Sequence, residues 1–197
     1  MIKKFELDLS TKITVFGVEL FRIKALISLG NVKKGEFGGY VEKEENLNHS
    51  GNAWVYGDAR VYGNARVYGD AEVYGNAEVS GNARVSGNAR VSGNAEVSGN
   101  AEVSGDAEVY GNAEVSGNAE VYGDAWVSKL NDYIVFKNNW SSGRHFTYTL
   151  SNKMWKVGCF YGSGEELVKK AYQDSGDSGK HYEAYVNLVK TLEEFDN

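Results

Sequence analysis

From Gly51 to Ser128 the chain repeats one six-residue phrase, G-[ND]-A-x-V-[SY], thirteen times without an insertion. Its apolar positions, Ala and Val, stand two residues apart and never vary, so both side chains point to one side of a short extended stretch while the residue between them points out. Gly followed by Asn or Asp then supplies a corner, because Gly tolerates left-handed backbone without a Cβ penalty and Asn and Asp tolerate it better than most. Each hexad therefore predicts one short strand and one turn. A strand of this size cannot bury its own Ala and Val, so the repeats must stack and share a core. Three hexads close a triangular coil, which puts residues eighteen apart in one column: Val55, Val73, Val91, Val109 and Val127 in the first, with the series from Val61 and Val67 forming the other two. Thirteen hexads make about 4.3 coils, roughly 20 Å of prism at ~4.8 Å per layer.

Upstream, GGYVEKEENLNHS keeps a weaker echo. Val41 and Leu47 precede Ala53 at steps of six, which places them in the alanine slot of two degenerate opening hexads. The expected organisation is a cap over residues 1–38, a solenoid over 39–128 and a C-terminal α+β domain over 129–197. In the cap, residues 4–27 read as antiparallel strands turning at Phe16-Gly17-Val18, with Phe21, Ile23, Ala25 and Ile27 on one face. An open solenoid end exposes backbone groups that would recruit another chain, so this segment is expected to cover it. Downstream, Asp132 to Phe136, Phe146 to Leu150 and Met154 to Phe160 read as strands. Ser163-Gly-Glu-Glu166 is a capping box opening a helix through about Asp174, SGDSG at 175–179 reads as an interhelical turn, and a second helix runs from Gly179 to Phe195.

The hexads, of which VYGNAR is typical, resemble those of left-handed parallel β-helix proteins, in which an aliphatic residue is followed four positions later by a small one. The resemblance implies an all-β, triangular, left-handed parallel β-helix. A pentapeptide-repeat helix is excluded by the period. Further residues, KFELDLSTKITVFGVELFRIKALISLGNVKKGEFGGYVEKEENL before GNAWVYGDA and GCFYGSGEELVKKA near the C-terminus, resemble uncharacterised phage and prophage hexapeptide-repeat proteins. That likeness implies a phage accessory protein and brings no transferable activity.

Composition narrows the chemistry. Gly is abundant (24 residues) and Pro absent, which excludes collagen-like and Pro-rich readings. The N-terminus has charges inside every apolar run and no cleavage-site pattern, so neither a signal peptide nor a membrane span is expected. A single cysteine, Cys159, precludes an internal disulfide and fits a reducing cytoplasm of a bacterial host. The repeat carries four Arg against seven Glu and four Asp, 4 − 11 = −7, while the whole chain has a net charge of −6. Such a surface repels phosphate, so no nucleic acid is expected on the prism and a basic protein partner fits better.

The β-helix resemblance also implies an enzymatic alternative, because many such proteins are trimeric CoA-dependent acyltransferases with a histidine base at a subunit boundary. Here the hexads contain no His, Cys or Lys and throw out no loop. The candidate base is His49, just before the first perfect hexad; its simpler reading is a surface histidine at a coil corner. His145 and His181 have no Ser or Cys partner at motif spacing, GSGEEL at 162–167 lacks the lysine of a phosphate loop, and Cys159 reads as packed in a strand. No catalytic residue, cofactor or metal ligand is expected.

The outward positions are the informative ones. One column reads Arg60, Glu78, Glu96, Glu114; another Arg66, Arg84, Glu102, Glu120; the third Trp54, Glu72, Arg90, Glu108, Trp126. Stacked Glu78, Glu96 and Glu114 repel unless solvent or a basic partner relieves them. Tyr56, Tyr62, Tyr68 and Tyr74 end four consecutive hexads, suiting either an interface or packing beneath the cap. The candidate partner-binding residues are these four tyrosines with Glu78, Glu96, Glu102, Glu114 and Glu120. The expected function is noncatalytic: a phage-type protein that binds and inhibits a host macromolecule, an anti-CRISPR being a concrete version. Its expected means is an acidic face of the β-helix or the C-terminal domain, which is larger than capping alone requires. A hexapeptide-type acyltransferase and a self-assembling solenoid are the alternatives, and flat faces also favour a homo-oligomer.

Overall fold

A computed structural model describes residues 2–195. The chain divides into two compact units, one through Asp132 and one from Tyr133 onward. The first is a β-solenoid of three parallel sheets. Each hexad contributes a two-residue strand formed by its x and Val positions, from β4 (Trp54–Val55) in the first hexad to β16 (Trp126–Val127) in the thirteenth. Partners in a sheet are eighteen residues apart, as in Glu78↔Glu96↔Glu114, and every hexad Ala and Val from Ala53 to Val127 is fully buried. The core is thus a uniform column of small and β-branched side chains, repeated identically in every layer.

The corners explain the remaining letters. Each hexad glycine holds a positive φ, +71° at Gly93 for example, and a Cβ there would lie 2.9 Å from the backbone N and O of Gly111 in the next layer. The following Asn side chains form ladders along the corners: the Asn76 amide donates to Asn94 Oδ1 (3.1 Å) and that of Asn94 to Asn112 Oδ1 (3.1 Å), with a parallel run through Asn64, Asn82, Asn100 and Asn118. This is the side-chain ladder of stacked in-register strands.

At the N-terminal end the strands β1 (Phe5–Val15), β2 (Val18–Ala25) and β3 (Phe37–Val41) form an antiparallel set. β3 also pairs in parallel with the Arg60–Val61 strand, so cap and solenoid share one seven-stranded sheet and the 38/39 boundary falls inside β3. Two readings are corrected here. Val41 and Leu47 pair with Val61 and Val67, a spacing of twenty, and so occupy the valine column rather than the alanine slot. The extra two residues sit in the 48–52 corner, where Asn48 Oδ1 accepts the Ser50 N–H (2.7 Å). Bulges between Asp8 and Lys12 and between Arg22 and Lys24 shift the strand alternation; Leu20, Ile23 and Ala25 are buried, while Ile27 lies beyond β2 and is exposed.

The cap closes the three faces by three different devices. The carbonyl of Ala59 takes the backbone N–H of Tyr40 (2.9 Å), as a further layer would supply. That of Ala65 takes the amide of the fully buried Asn46 (2.9 Å), and that of Ala53 takes the ammonium of Lys4 (2.8 Å). Side-chain donors thus stand in for missing strand N–H groups, which is what an otherwise open edge requires.

The second unit is a meander of β17 (Tyr133–Lys137), β18 (His145–Thr149), β19 (Met154–Val157) and β20 (Phe160–Gly162), with helices α1 (Gly164–Asp174) and α2 (Gly176–Phe195). Its core is aromatic: Phe146, Tyr148, Trp155 and Tyr182 pack with Leu167, Ala171, Val186 and Val189. Ser163 caps α1 as the capping box predicts, its Oγ accepting the Glu166 N–H (3.3 Å) while Glu166 Oε2 accepts the Ser163 N–H (2.9 Å). The expected strand from Met154 to Phe160 is instead two strands with a turn at Gly158-Cys159, which leaves Cys159 exposed rather than packed. SGDSG is not a turn either, because α2 already begins at Gly176 and only Ser175 separates the helices. Gly179 is there for packing: a Cβ would meet the Tyr172 ring at 2.2 Å.

Candidate functional site

The expected site residues lie on different faces of the solenoid. Glu78, Glu96 and Glu114 share one row, in register on the sheet that continues into the cap. Glu102 and Glu120 share another row on a second sheet, below Arg66 and Arg84. The third row holds Glu72, Arg90 and Glu108 between two tryptophans. We call these the acidic, split and tryptophan-bounded faces. Trp54 departs from the outward reading. It is fully buried because the Phe5 ring stands edge-on to it at 6.3 Å, whereas Trp126 at the other end of the row is 60 % exposed.

Charge is balanced differently on each face. On the tryptophan-bounded face Arg90 lies between two carboxylates, 3.7 Å from Glu72 and 3.3 Å from Glu108. On the split face Arg84 pairs with Glu102 at 3.0 Å, while Arg66, in register beside Arg84, has no ion pair among the described residues. On the acidic face Arg60 approaches Glu78 at 4.0 Å, and Glu96 is exposed with no hydrogen bond or ion pair among the described residues. Exposed pairs of this kind add little stability, so their order along a face matters more for what the face can meet than for the fold.

The tyrosines follow a rule that the repeat makes visible. A Tyr ending one hexad lies beside the outward residue sixteen positions later. Where that residue is Glu the hydroxyl donates to it: Tyr56 to Glu72 (3.2 Å) and Tyr62 to Glu78. Burial, reinforced by these carboxylates, pushes both phenols up to about 12. Where that residue is Arg, at Tyr68 beside Arg84 and Tyr74 beside Arg90, the ring is exposed and its hydroxyl has no partner among the described residues. The four tyrosines therefore divide into two that brace glutamates and two that remain open.

His49 is not a free surface residue, its side chain being 19 % exposed. Its ring stacks on Phe5 at 4.5 Å, its Nδ1 accepts the Lys4 N–H (3.3 Å), and its Nε2 faces Glu44 at 3.5 Å. It holds the two-residue insertion against the cap. A cavity of about 600 Å³ opens beside it, between Glu44, Arg66, Tyr68 and Arg84. The lysine that closes the end is also perturbed: desolvation lowers the Lys4 ammonium to about 8, against a smaller opposing effect of Asp70. His181 contacts the Asp177 carbonyl of its own helix (2.8 Å). Among the described residues no three His, Cys, Asp or Glu side chains converge on a metal-sized site, and no helix is long and apolar enough to cross a membrane.

Three stacked parallel sheets at an eighteen-residue spacing define a β-solenoid repeat protein. The repeat family described as YdcK Beta solenoid repeat matches the chain over residues 59–75, 77–93 and 83–99, all within the hexads. No curated protein matches the chain.

Proposed function

We propose that this protein is a noncatalytic, phage-type binding protein whose acidic face engages, and inhibits, a basic host protein that handles nucleic acid. The observation that carries this reading is the row Glu78, Glu96, Glu114, held in register on a flat sheet, with Glu96 lacking any compensating cation among the described residues. Carboxylates fixed at the ~4.8 Å strand spacing repel one another in the free protein. A cationic cleft relieves that repulsion on contact, so binding gains more than an isolated carboxylate would give. The rigid backbone keeps the ordering cost of association low. The phage and prophage resemblance of the flanking segments supports the anti-defence role, with a CRISPR nuclease as a concrete target.

The test is affinity for bacterial defence nucleases, in low and high salt, with Glu78, Glu96 and Glu114 changed together to Lys. A salt-sensitive complex that weakens at least about tenfold on reversal is expected, the scale of breaking one interfacial charge pair. Unchanged affinity in the variant would remove the acidic face from the mechanism. Calorimetry with CoA and acetyl-CoA addresses the acyltransferase alternative, for which binding heat would be decisive.

A further inference from the structure

The split face carries a charge order that the other two lack. Along the stack its outward row reads Arg66, Arg84, Glu102, Glu120, in register layer by layer. The next outward row reads Tyr68, Ser86, Ser104, Tyr122. The second row is the same read in either direction, and the first changes sign when reversed. Two copies meeting through this face about a two-fold axis parallel to the strands would run with their stacks opposed. Arg66 then faces Glu120 of the other copy, Arg84 faces Glu102, and Tyr68 faces Tyr122, each contact occurring twice as a two-fold interface requires.

The alternatives fail on the same arithmetic of signs. A two-fold axis along the stack would set Arg66 against Arg66 and Glu120 against Glu120. In the same centred register, reversed stacking through the acidic face opposes Glu78 to Glu96 twice, which offsets its two Arg60–Glu114 pairs, and through the tryptophan-bounded face it opposes Glu72 to Glu108 twice and Arg90 to itself. Like charges in direct opposition suppress association. Within one chain, moreover, Arg66 is the single hexad arginine without an ion pair among the described residues, and its in-register neighbour is another arginine. Tyr68 and Tyr122 are exposed at 36 % and 37 %, at opposite ends of the row, so an aromatic ring stands at each end of the charged stripe.

We infer that the split face is a self-complementary surface whose partner is a second copy of this chain, docked with stacks antiparallel. The row is short, about 14 Å from Arg66 to Glu120 at ~4.8 Å per layer. A row this short falls below the contact area of a tight complex, so the dimer is weak and salt-sensitive.

Sedimentation equilibrium of the full chain tests this, from micromolar to millimolar in low and high salt. A monomer–dimer equilibrium that shifts to monomer in high salt is expected. The pair Arg66→Glu with Arg84→Glu, and separately Glu102→Arg with Glu120→Arg, should each raise the dissociation constant at least about tenfold. Mixing the two variants should restore a one-to-one dimer, since an all-acidic row then meets an all-basic one. The fourfold swap should dimerise like the parent. Circular dichroism melts confirm that each variant is folded, and Glu108→Gln on the tryptophan-bounded face serves as a control that leaves the equilibrium in place. A parent monomeric at every concentration in low salt overturns the inference, as does a dimer indifferent to the arginine reversals, or a mixture of folded variants that fails to associate.

Discussion

The two units solve the problem of burial in opposite ways. The solenoid repeats a small core of Ala and Val, fully buried in every layer, and its strands are two residues long. The C-terminal unit builds one unrepeated core from large aromatics, with the Phe136 and Phe146 rings stacked at 5.3 Å and Trp155 edge-on to Phe146 at 6.3 Å. In the first, backbone ladders and corners fix the geometry and each side chain contributes little. In the second, a few rings carry most of the burial, so the loss of one is felt by the whole unit. The comparison predicts that a core deletion is worst in the aromatic unit and a backbone change worst in the solenoid.

The largest effect is expected for Trp155→Ala, about 4 kcal/mol from reduced burial and the cavity left behind. Its near-UV dichroism should collapse while the solenoid's far-UV signal remains; a loss spreading to the solenoid would merge the two units into one. Next is Gly93→Ala, which forces a positive φ on a residue with a Cβ and drives that Cβ toward Gly111. Its cost is on the order of 2–3 kcal/mol, read as a lower melting temperature of the solenoid transition alone. Ser163→Ala removes the α1 cap and should cost about 1 kcal/mol, visible in helical signal. Asn94→Asp keeps the bond from Asn76 but loses the one to Asn112, a penalty of about 0.5–1 kcal/mol in chemical denaturation.

The smallest effect is in pH dependence. Lys4 titrates near 8 when folded and near its ordinary 10.5 when unfolded. Between those values the unfolded chain holds the extra proton, so stability rises with pH from about 8 to 10.5. Tyr56 and Tyr62 act in the reverse sense: raised to about 12, they keep protons that the unfolded chain releases above its ordinary 10, and stability falls across that range. Denaturation midpoints should therefore climb gently above pH 8 and turn over near pH 10. In Lys4→Met the climb should vanish and the fall remain.

The period alone fixed the register of thirteen strands and their buried Ala and Val, and the capping box at Ser163 was equally legible, because in each a local rule coincides with the tertiary one. The misreadings share a cause as well. Val41 and Leu47 could not be placed while the two-residue insertion lay hidden in letters that no longer match the hexad. Trp54 occupies an outward slot by pattern and is buried only because β1, fifty residues earlier, lies over it. Gly179 looks like a breaker and is instead the contact point of two helices. For the candidate site, the glutamate rows were legible from spacing, whereas the division of the tyrosines into bracing and open pairs depends on the residue sixteen positions on.

On our proposal the three faces, which share one core, address different partners through their outward rows. A pull-down from bacterial lysate measures this most directly, comparing the parent, the Glu78, Glu96 and Glu114 reversal, and the Arg66 and Arg84 reversal side by side. A basic nucleic-acid-handling protein should be retained by the parent and by the split-face variant, and should be missing from the acidic-face variant. Equal retention by all three, or its absence from both variants alike, would contradict that division of roles.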